Sequence, residues 1–289
     1  MIPSAFAYET PSTVEEAAAL LAQHGDDAKI LAGGHSLIPL MKLRLAAPEV
    51  LIDIGNIEGL SGISTDNGQV TVGAGTTHST LEDSEALGMA CPLLQQTAAI
   101  IGDRQVRNLG TIGGSLAHGD PAADLPAAVL ALEAELTAVS ANGSRTIAAD
   151  SFFTGPLMTA LGDDELLTTI TVPATSGQSG AAYVKNAHPA SGYALCGVAA
   201  VVTVGADGKC ERARIGITGA GSTPMRAMAA EAALTGQELT ADNIAAAAGQ
   251  AAEGLDLNDD LFASAEYRGH LVRVYTRRAV EQAAAQAGS

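Results

Sequence analysis

The sequence predicts an α+β protein in two units, a larger amino-terminal one and a smaller carboxy-terminal one. Three observations lead there. The turns Asp66-Asn67-Gly68 and Asn142-Gly143 each join short apolar runs, a hairpin signature. Beyond residue 180, strand-like runs are followed by Ala-rich helical stretches, the pattern of an antiparallel sheet backed by helices. Between these textures lies 174–180 (ATSGQSG), small, polar and poor in core residues, the best linker in the chain. The expected units are residues 1–176 and 177–289. A weaker division near residue 56 splits the first into lobes of about 1–55 and 56–176.

Element by element, Ser12 with Glu15 reads as a capping box, 16–23 as helix and Gly25 as its stop. Residues 28–32 form a short apolar strand running into Gly33-Gly34, and 50–54 form another. Residues 60–63 and 69–72 make the first hairpin, 135–140 and 145–148 the second. Residues 92–101 and 124–134 read as helices, with the glycine-rich stretch 110–119 between them. Residues 166–172 form a strand that stops at Pro173. Strands at 181–185, 194–204 and 213–218 follow, then helices at 223–234, 241–253 and 265–285.

Composition excludes several classes. The chain has 289 residues and nearly half are apolar, enough for a sizeable core without disulfides or a structural metal. Fifteen Lys plus Arg stand against 32 Asp plus Glu, a net charge of −17, which repels nucleic-acid phosphates. Cys91, Cys196 and Cys210 are odd in number and far apart, and no CxxC pair suggests zinc or an iron–sulfur cluster. The opening Met1-Ile-Pro-Ser-Ala-Phe lacks the features of a secretory leader, and no apolar run reaches membrane-spanning length. A cytoplasmic location is expected.

Two segments carry the chemistry: Ala32-Gly33-Gly34-His35-Ser36 and Thr111-Ile112-Gly113-Gly114-Ser115. Glycine reaches φ values closed to other residues, and without Cβ its amide approaches a ligand closely. Consecutive amides in such a bend form a concave anion site to which a Ser hydroxyl adds a donor. In a chain this poor in cations, backbone amides are the plausible holders of a diphosphate. Two plain strand-end bends remain the competing reading. Rival phosphate motifs fail: Gly73-Ala-Gly75 leads to Thr76-Thr77-His78, and Gly219-Ala-Gly221 to Ser222-Thr223-Pro224, so each lacks the third glycine of a dinucleotide fingerprint. Asp124 opens a helix, either as an N-cap or as a hydrogen-bond acceptor for a sugar-like hydroxyl. His35 and His118 adjoin the turns without a ligand set for metal. Lys185 ends a strand, and Tyr193 is one of only nine aromatics. No catalytic Ser–His–Asp set, carboxylate pair or reactive cysteine is evident.

These residues resemble a family. Leu31-Ala-Gly-Gly-His-Ser-Leu-Ile-Pro-Leu-Met-Lys42, Leu51-Ile-Asp53, and Thr111-Ile-Gly-Gly-Ser115 with Asp120-Pro121 and Asp124-Leu-Pro126 are similar to the flavoprotein subunits of the xanthine dehydrogenase family. Met1-Ile-Pro, Glu266-Tyr267-Arg268 and Arg277-Arg278-Ala279-Val280-Glu281 extend the likeness along the chain, most of all toward the medium subunit of the molybdenum–copper carbon monoxide dehydrogenase branch. The resemblance implies a two-lobed FAD-binding fold of the vanillyl-alcohol-oxidase (PCMH) type with a carboxy-terminal α+β domain. It implies that turns 32–36 and 111–115 clasp the FAD diphosphate. Asp124 would contact the ribityl chain, and Leu167 would lie along the flavin or adenosine. Lys185 would reach the cofactor, and Ile101 and Tyr193 would flank the isoalloxazine. Asn186-Ala187-His188 departs from the family, which often has a second cation there.

The resemblance further implies partners: a large subunit with molybdenum and copper on molybdopterin cytosine dinucleotide, and a small subunit with two [2Fe–2S] clusters. The expected assembly is a dimer of heterotrimers that passes electrons to quinone, or to NAD in the xanthine branch. Association with the inner membrane face through the complex is also expected. Alternatives are the flavin subunit of an aldehyde, purine or N-heterocycle hydroxylase, a stand-alone FAD-dependent reductase, or a nucleotide-binding scaffold.

Overall fold

The computed structural model describes residues 2–175 and 177–287. Met1, Ser176, Gly288 and Ser289 lie outside the described residues, and with Ser176 the expected division point itself.

The first lobe contains β1 (Ala7–Glu9), α1 (Val14–His24), β2 (Ala28–Leu31), α2 (Leu37–Leu43) and β3 (Val50–Asp53). Its three strands form a parallel sheet in the order β1-β3-β2. The cap of α1 is shifted one residue from the Ser12–Glu15 expectation. Thr13 Oγ1 accepts from Glu16 N at 3.1 Å, and Glu16 accepts from Ser12 N at 2.7 Å. Gly25, at φ 53°, ends the helix.

The second lobe holds β4 (Ile63–Asp66), β5 (Gln69–Gly73), the helices α3 (His78–Asp83), α4 (Glu85–Ala90), α5 (Pro92–Ala99), α6 (Arg104–Leu109), α7 (Ile112–His118) and α8 (Leu125–Ala131), then β6 (Glu135–Ser140), β7 (Gly143–Ala148), β8 (Phe153–Gly155), β9 (Met158–Thr159) and β10 (Leu166–Pro173). Five of these strands form an antiparallel sheet, β4-β5-β10-β6-β7. Asn67 at φ 50° and Gly68 at φ 76° make the tight turn of the first hairpin. The expected turn at 111–115 is a helix start instead: Thr111 caps α7, its side chain accepting from Gly114 N.

The third unit holds β11 (Ser179–Ala187), β12 (Ala194–Val204), β13 (Cys210–Thr218), β14 (Met225–Arg226), α9 (Met228–Leu234), α10 (Ala241–Gly249) and α11 (Ala265–Ala287). Its sheet is antiparallel, β11-β12-β13-β14. One face buries Ala182, Val198, Ala200 and Val202 with Ala279 and Ala283 of α11. Ala181, Tyr183 and Ala199 join the core of the second lobe. Gly216 permits that union, because a Cβ there would lie 2.1 Å from the carbonyl of Ala127 in α8.

Charge also crosses between the units. Glu133, held at φ 50°, pairs with Arg212, Arg214 and Arg226, and Arg226 pairs with Asp150 at 3.0 Å. Among the described residues no helix is long and apolar enough to cross a membrane.

Candidate cofactor site

A cavity of about 570 Å³ opens between the two lobes and the third unit. Its floor is the meeting of the two glycine segments. A Cβ on Gly33 would lie 2.0 Å from Leu109 O and 2.8 Å from Gly110 Cα, so only glycine lets the first turn reach the chain before α7.

The segments supply different groups. Among the described residues, the amides of Gly33, Gly34, His35 and Ser36 have no acceptor, and Gly34 stands at φ 71°. The turn is braced by His35 Nδ1, 2.9 Å from Gly33 O. In the second segment the amides are spent inside the protein. Ile112 donates to Thr76 O, Gly113 to Ala74 O, Gly114 to Thr111 Oγ1 and Ser115 to Thr111 O. The expectation that both bends offer amides is therefore corrected: the first offers N–H groups, the second the hydroxyls of Thr111 and Ser115. Free amides beside hydroxyls fit a diphosphate without a cation.

Of the expected site residues, Ala32, Gly33, Gly34, His35, Ser36, Ile101, Thr111, Gly114, Ser115, Asp124 and Tyr193 line this cavity. Four do not. Ile112 is buried, and a Cβ on Gly113 would lie 2.4 Å from that of Ala74, so both serve packing. Leu167 is buried in β10, inside the core of the second lobe.

Lys185 is the fourth. Its ammonium donates to Ile100 O at 2.9 Å, Gly192 O at 3.0 Å and Asp124 Oδ2 at 3.0 Å, using all three protons. It does not reach into the cavity; it ties together the neighbours of Ile101 and Tyr193, which line it. Asp124 is likewise not a side-chain N-cap. Its carboxylate accepts from Lys185 and from Tyr183 Oη at 2.6 Å. Burial pushes this carboxyl up, and Lys185 and Tyr183 pull it back. Burial and Asp124 hold the Tyr183 phenol well above its usual range. Burial, with Asp120 and Asp124, also raises the half-exposed Tyr193.

Sequence reasoning passed over His78. It lines the cavity at 4% exposure, and its Nδ1 is sealed without a partner. Burial, then His35 and Arg107, lowers its pKa from 6.5 to about 4. The available signal was Thr76-Thr77-His78 after Gly73-Ala-Gly75, set aside with the failed fingerprint. The unfolded chain takes up a proton near 6.5 and the folded chain only near 4, so His78 costs stability as pH falls through that window. At about 1.4 kcal/mol per pH unit the loss is roughly 3 kcal/mol. Urea unfolding between pH 7 and 4.5 should show a shallower pH dependence for His78→Gln by about 2 kcal/mol or more. Parallel curves would refute the assignment.

Burial lifts the Cys91 thiol to about 11 and Cys196 to about 12, so neither offers a thiolate. Among the described residues no group of three His, Cys, Asp or Glu could hold a metal ion.

Comparison with known proteins accords with this geometry. Residues 4–175 match the family described as the FAD binding domain in molybdopterin dehydrogenase, and residues 181–283 the CO dehydrogenase flavoprotein C-terminal domain. The chain is 41% identical over 283 residues to the 6-hydroxypseudooxynicotine dehydrogenase complex subunit alpha of Paenarthrobacter nicotinovorans, covering 98% of this chain and 96% of the relative. It is also 41% identical over 283 residues to the carbon monoxide dehydrogenase medium chain of Hydrogenophaga pseudoflava, covering 98% of each. The solved carbon monoxide dehydrogenase from Hydrogenophaga pseudoflava superposes with a TM-score of 0.95 at 43% identity, covering 99% of both chains. The amide-lined first turn, the hydroxyls at the start of α7 and the full-length likeness converge: this chain belongs to the FAD-binding flavoprotein subunits of the molybdopterin dehydrogenase family.

Proposed function

We propose that this chain relays electrons in a carbon monoxide dehydrogenase, from [2Fe–2S] clusters on a small subunit to quinone, while a large molybdenum–copper subunit oxidises the substrate. The observation that carries the reading is the cavity where four amides, acceptor-free among the described residues, meet two hydroxyls. Bound FAD supplies the exchange between single electrons on one side and a pair on the other.

The chain's own residues bind and orient. Residues 33–36 hold the diphosphate by N–H donation, and the Thr111 and Ser115 hydroxyls complete that cradle. Ile101 and Tyr193 flank the ring system, and the Lys185 ammonium fixes the distance between their loops. The likeness over the full chain to medium subunits of multi-subunit dehydrogenases supports relay over stand-alone reduction. Residues 4–175 act as the FAD-binding unit, and 181–283 contribute Tyr193 to the lining of its cavity. A dimer of heterotrimers at the inner face of the membrane suits delivery to quinone.

A second reading has its own support. Identity to the 6-hydroxypseudooxynicotine dehydrogenase subunit equals that to the medium chain, so this chain also suits a complex with a different large subunit. The test is isolation of the native complex, with flavin content and dye reduction measured on both substrates. About one FAD per chain with turnover of carbon monoxide bears out the first reading. Turnover of 6-hydroxypseudooxynicotine alone selects the second. A folded complex without flavin refutes both.

A further inference from the structure

We propose that His78 is a neutral hydrogen-bond donor, through Nε2, to the diphosphate of the bound cofactor. The inference rests on the FAD reading above and deepens it, by adding a side chain to a cradle otherwise built from main-chain amides and hydroxyls.

The placement comes first. His78 is the first residue of α3, and its own amide donates to Gly110 O at 2.9 Å. A Cβ on Gly110 would lie 2.9 Å from the imidazole Cδ2 and 3.0 Å from Nε2. Gly33 also approaches Gly110, its absent Cβ only 2.8 Å from Gly110 Cα. The imidazole thus stands beside the junction where the two glycine segments touch, and Gly110 leaves the room it occupies. His78 also lines the cavity that these segments bound.

The proton's position follows from burial. Nδ1 is sealed from solvent with no partner, and among the described residues neither ring nitrogen makes a hydrogen bond. A buried N–H without an acceptor is rarer, and less tolerable, than a buried acceptor left empty. The proton therefore sits on Nε2, the nitrogen beside Gly110, and Nδ1 is the empty acceptor. The neighbours keep the ring uncharged: His35 in the first turn and Arg107 on α6 both oppose its protonation, and burial opposes it more. Glu82, on the same helix as His78, is occupied by Arg107 at 2.6 Å. A neutral donor suits a diphosphate already met by amides, because it needs no desolvated cation in a chain that carries so few.

The geometry makes a distinction that a packing role does not. Glutamine places its amide nitrogen near the position of Nε2, asparagine near that of Nδ1. FAD affinity is measured by flavin fluorescence on the full chain, stripped of flavin, as wild type and as His78→Gln, His78→Asn and His78→Leu. His78→Gln should stay within about threefold of wild type, and His78→Asn and His78→Leu should weaken binding about ten- to hundredfold, the range for a donor to a charged group. On ¹⁵N-histidine-labelled wild type, the His78 Nε2 signal should be the protonated one. It should move on addition of ADP, which carries the diphosphate, and stay still on addition of riboflavin, which does not.

His78→Leu binding FAD as tightly as wild type overturns the proposal, as does His78→Asn outperforming His78→Gln. If the variants fail to fold, the wild-type spectrum decides alone: an Nε2 signal unmoved by ADP overturns it. In each of these cases the FAD reading stands, because wild type still binds. Wild type that binds no FAD removes both.

Discussion

Replacing Lys185 by methionine is expected to destabilise the chain by about 3–5 kcal/mol and to leave its flavin weakly held. The pair Lys185–Asp124 has both side chains 6% exposed, so removing the ammonium strands a carboxylate away from water. Two carbonyls, Ile100 O and Gly192 O, lose their donor in the same step. Those carbonyls precede Ile101 and Tyr193 by one residue, so the loops on either side of the flavin site lose their common anchor. The double variant Lys185→Met/Asp124→Asn separates the effects. Removing the stranded charge should restore about half of the lost stability, because a buried pair is dearer to break than to replace whole. It should not restore flavin affinity, because the loops remain untied. Urea unfolding and flavin titration on the three chains measure both quantities. A single variant within about 1 kcal/mol of wild type would show that the pair is not structural.

Gly33→Ala is expected to lower FAD affinity at least about a hundredfold, which corresponds to about 2.7 kcal/mol. The added Cβ would lie 2.0 Å from Leu109 O and 2.7 Å from Leu109 C, main-chain atoms with no rotamer to escape into. The first turn must withdraw from the second, and the cradle opens. Gly114→Ala is the control. Its Cβ would meet Thr111 Oγ1 at 2.8 Å and Ala32 Cβ at 3.7 Å, and a side-chain hydroxyl can rotate. That variant should lose about tenfold or less, from one displaced hydroxyl donor. Flavin-to-protein ratios after dialysis rank them, and equal losses would contradict the asymmetry between the turns.

That asymmetry marks the limit of what the sequence discloses. Gly33 and Gly114 look alike as residues in a glycine pair before a serine. Only the fold shows that one pair ends in free amides and the other starts α7, capped by Thr111. Elements with strong local signals are legible: the Asn67-Gly68 hairpin, the strands of the third unit and long α11 all appear near their expected places. The six- and seven-residue helices α2, α3, α4, α6 and α7 are not. A helix of that length is held by packing more than by propensity, so it leaves little periodicity to read, and the equally short α8 and α9 are legible through their Ala- and Leu-rich runs instead. The same holds for long-range partners. Asp124 reads as an N-cap because caps are local, yet its carboxylate answers to Lys185, 61 positions away. His78 carries no motif of its own; its meaning comes from Gly110 and Gly33, which only folding brings to it.

Glu133 has a further consequence for the chain's architecture. It faces Arg212, Arg214 and Arg226 from across the seam between the units. Severed from the amino-terminal portion, the carboxy-terminal fragment would present three guanidiniums crowded on one sheet with Glu231 as their remaining counter-ion there. It would also expose Tyr183 and Ala199, which sit in the other unit's core. Each portion therefore leans on the other for core and charge, and a gene fission between them is expected to be tolerated only if both products are made together and meet before they aggregate.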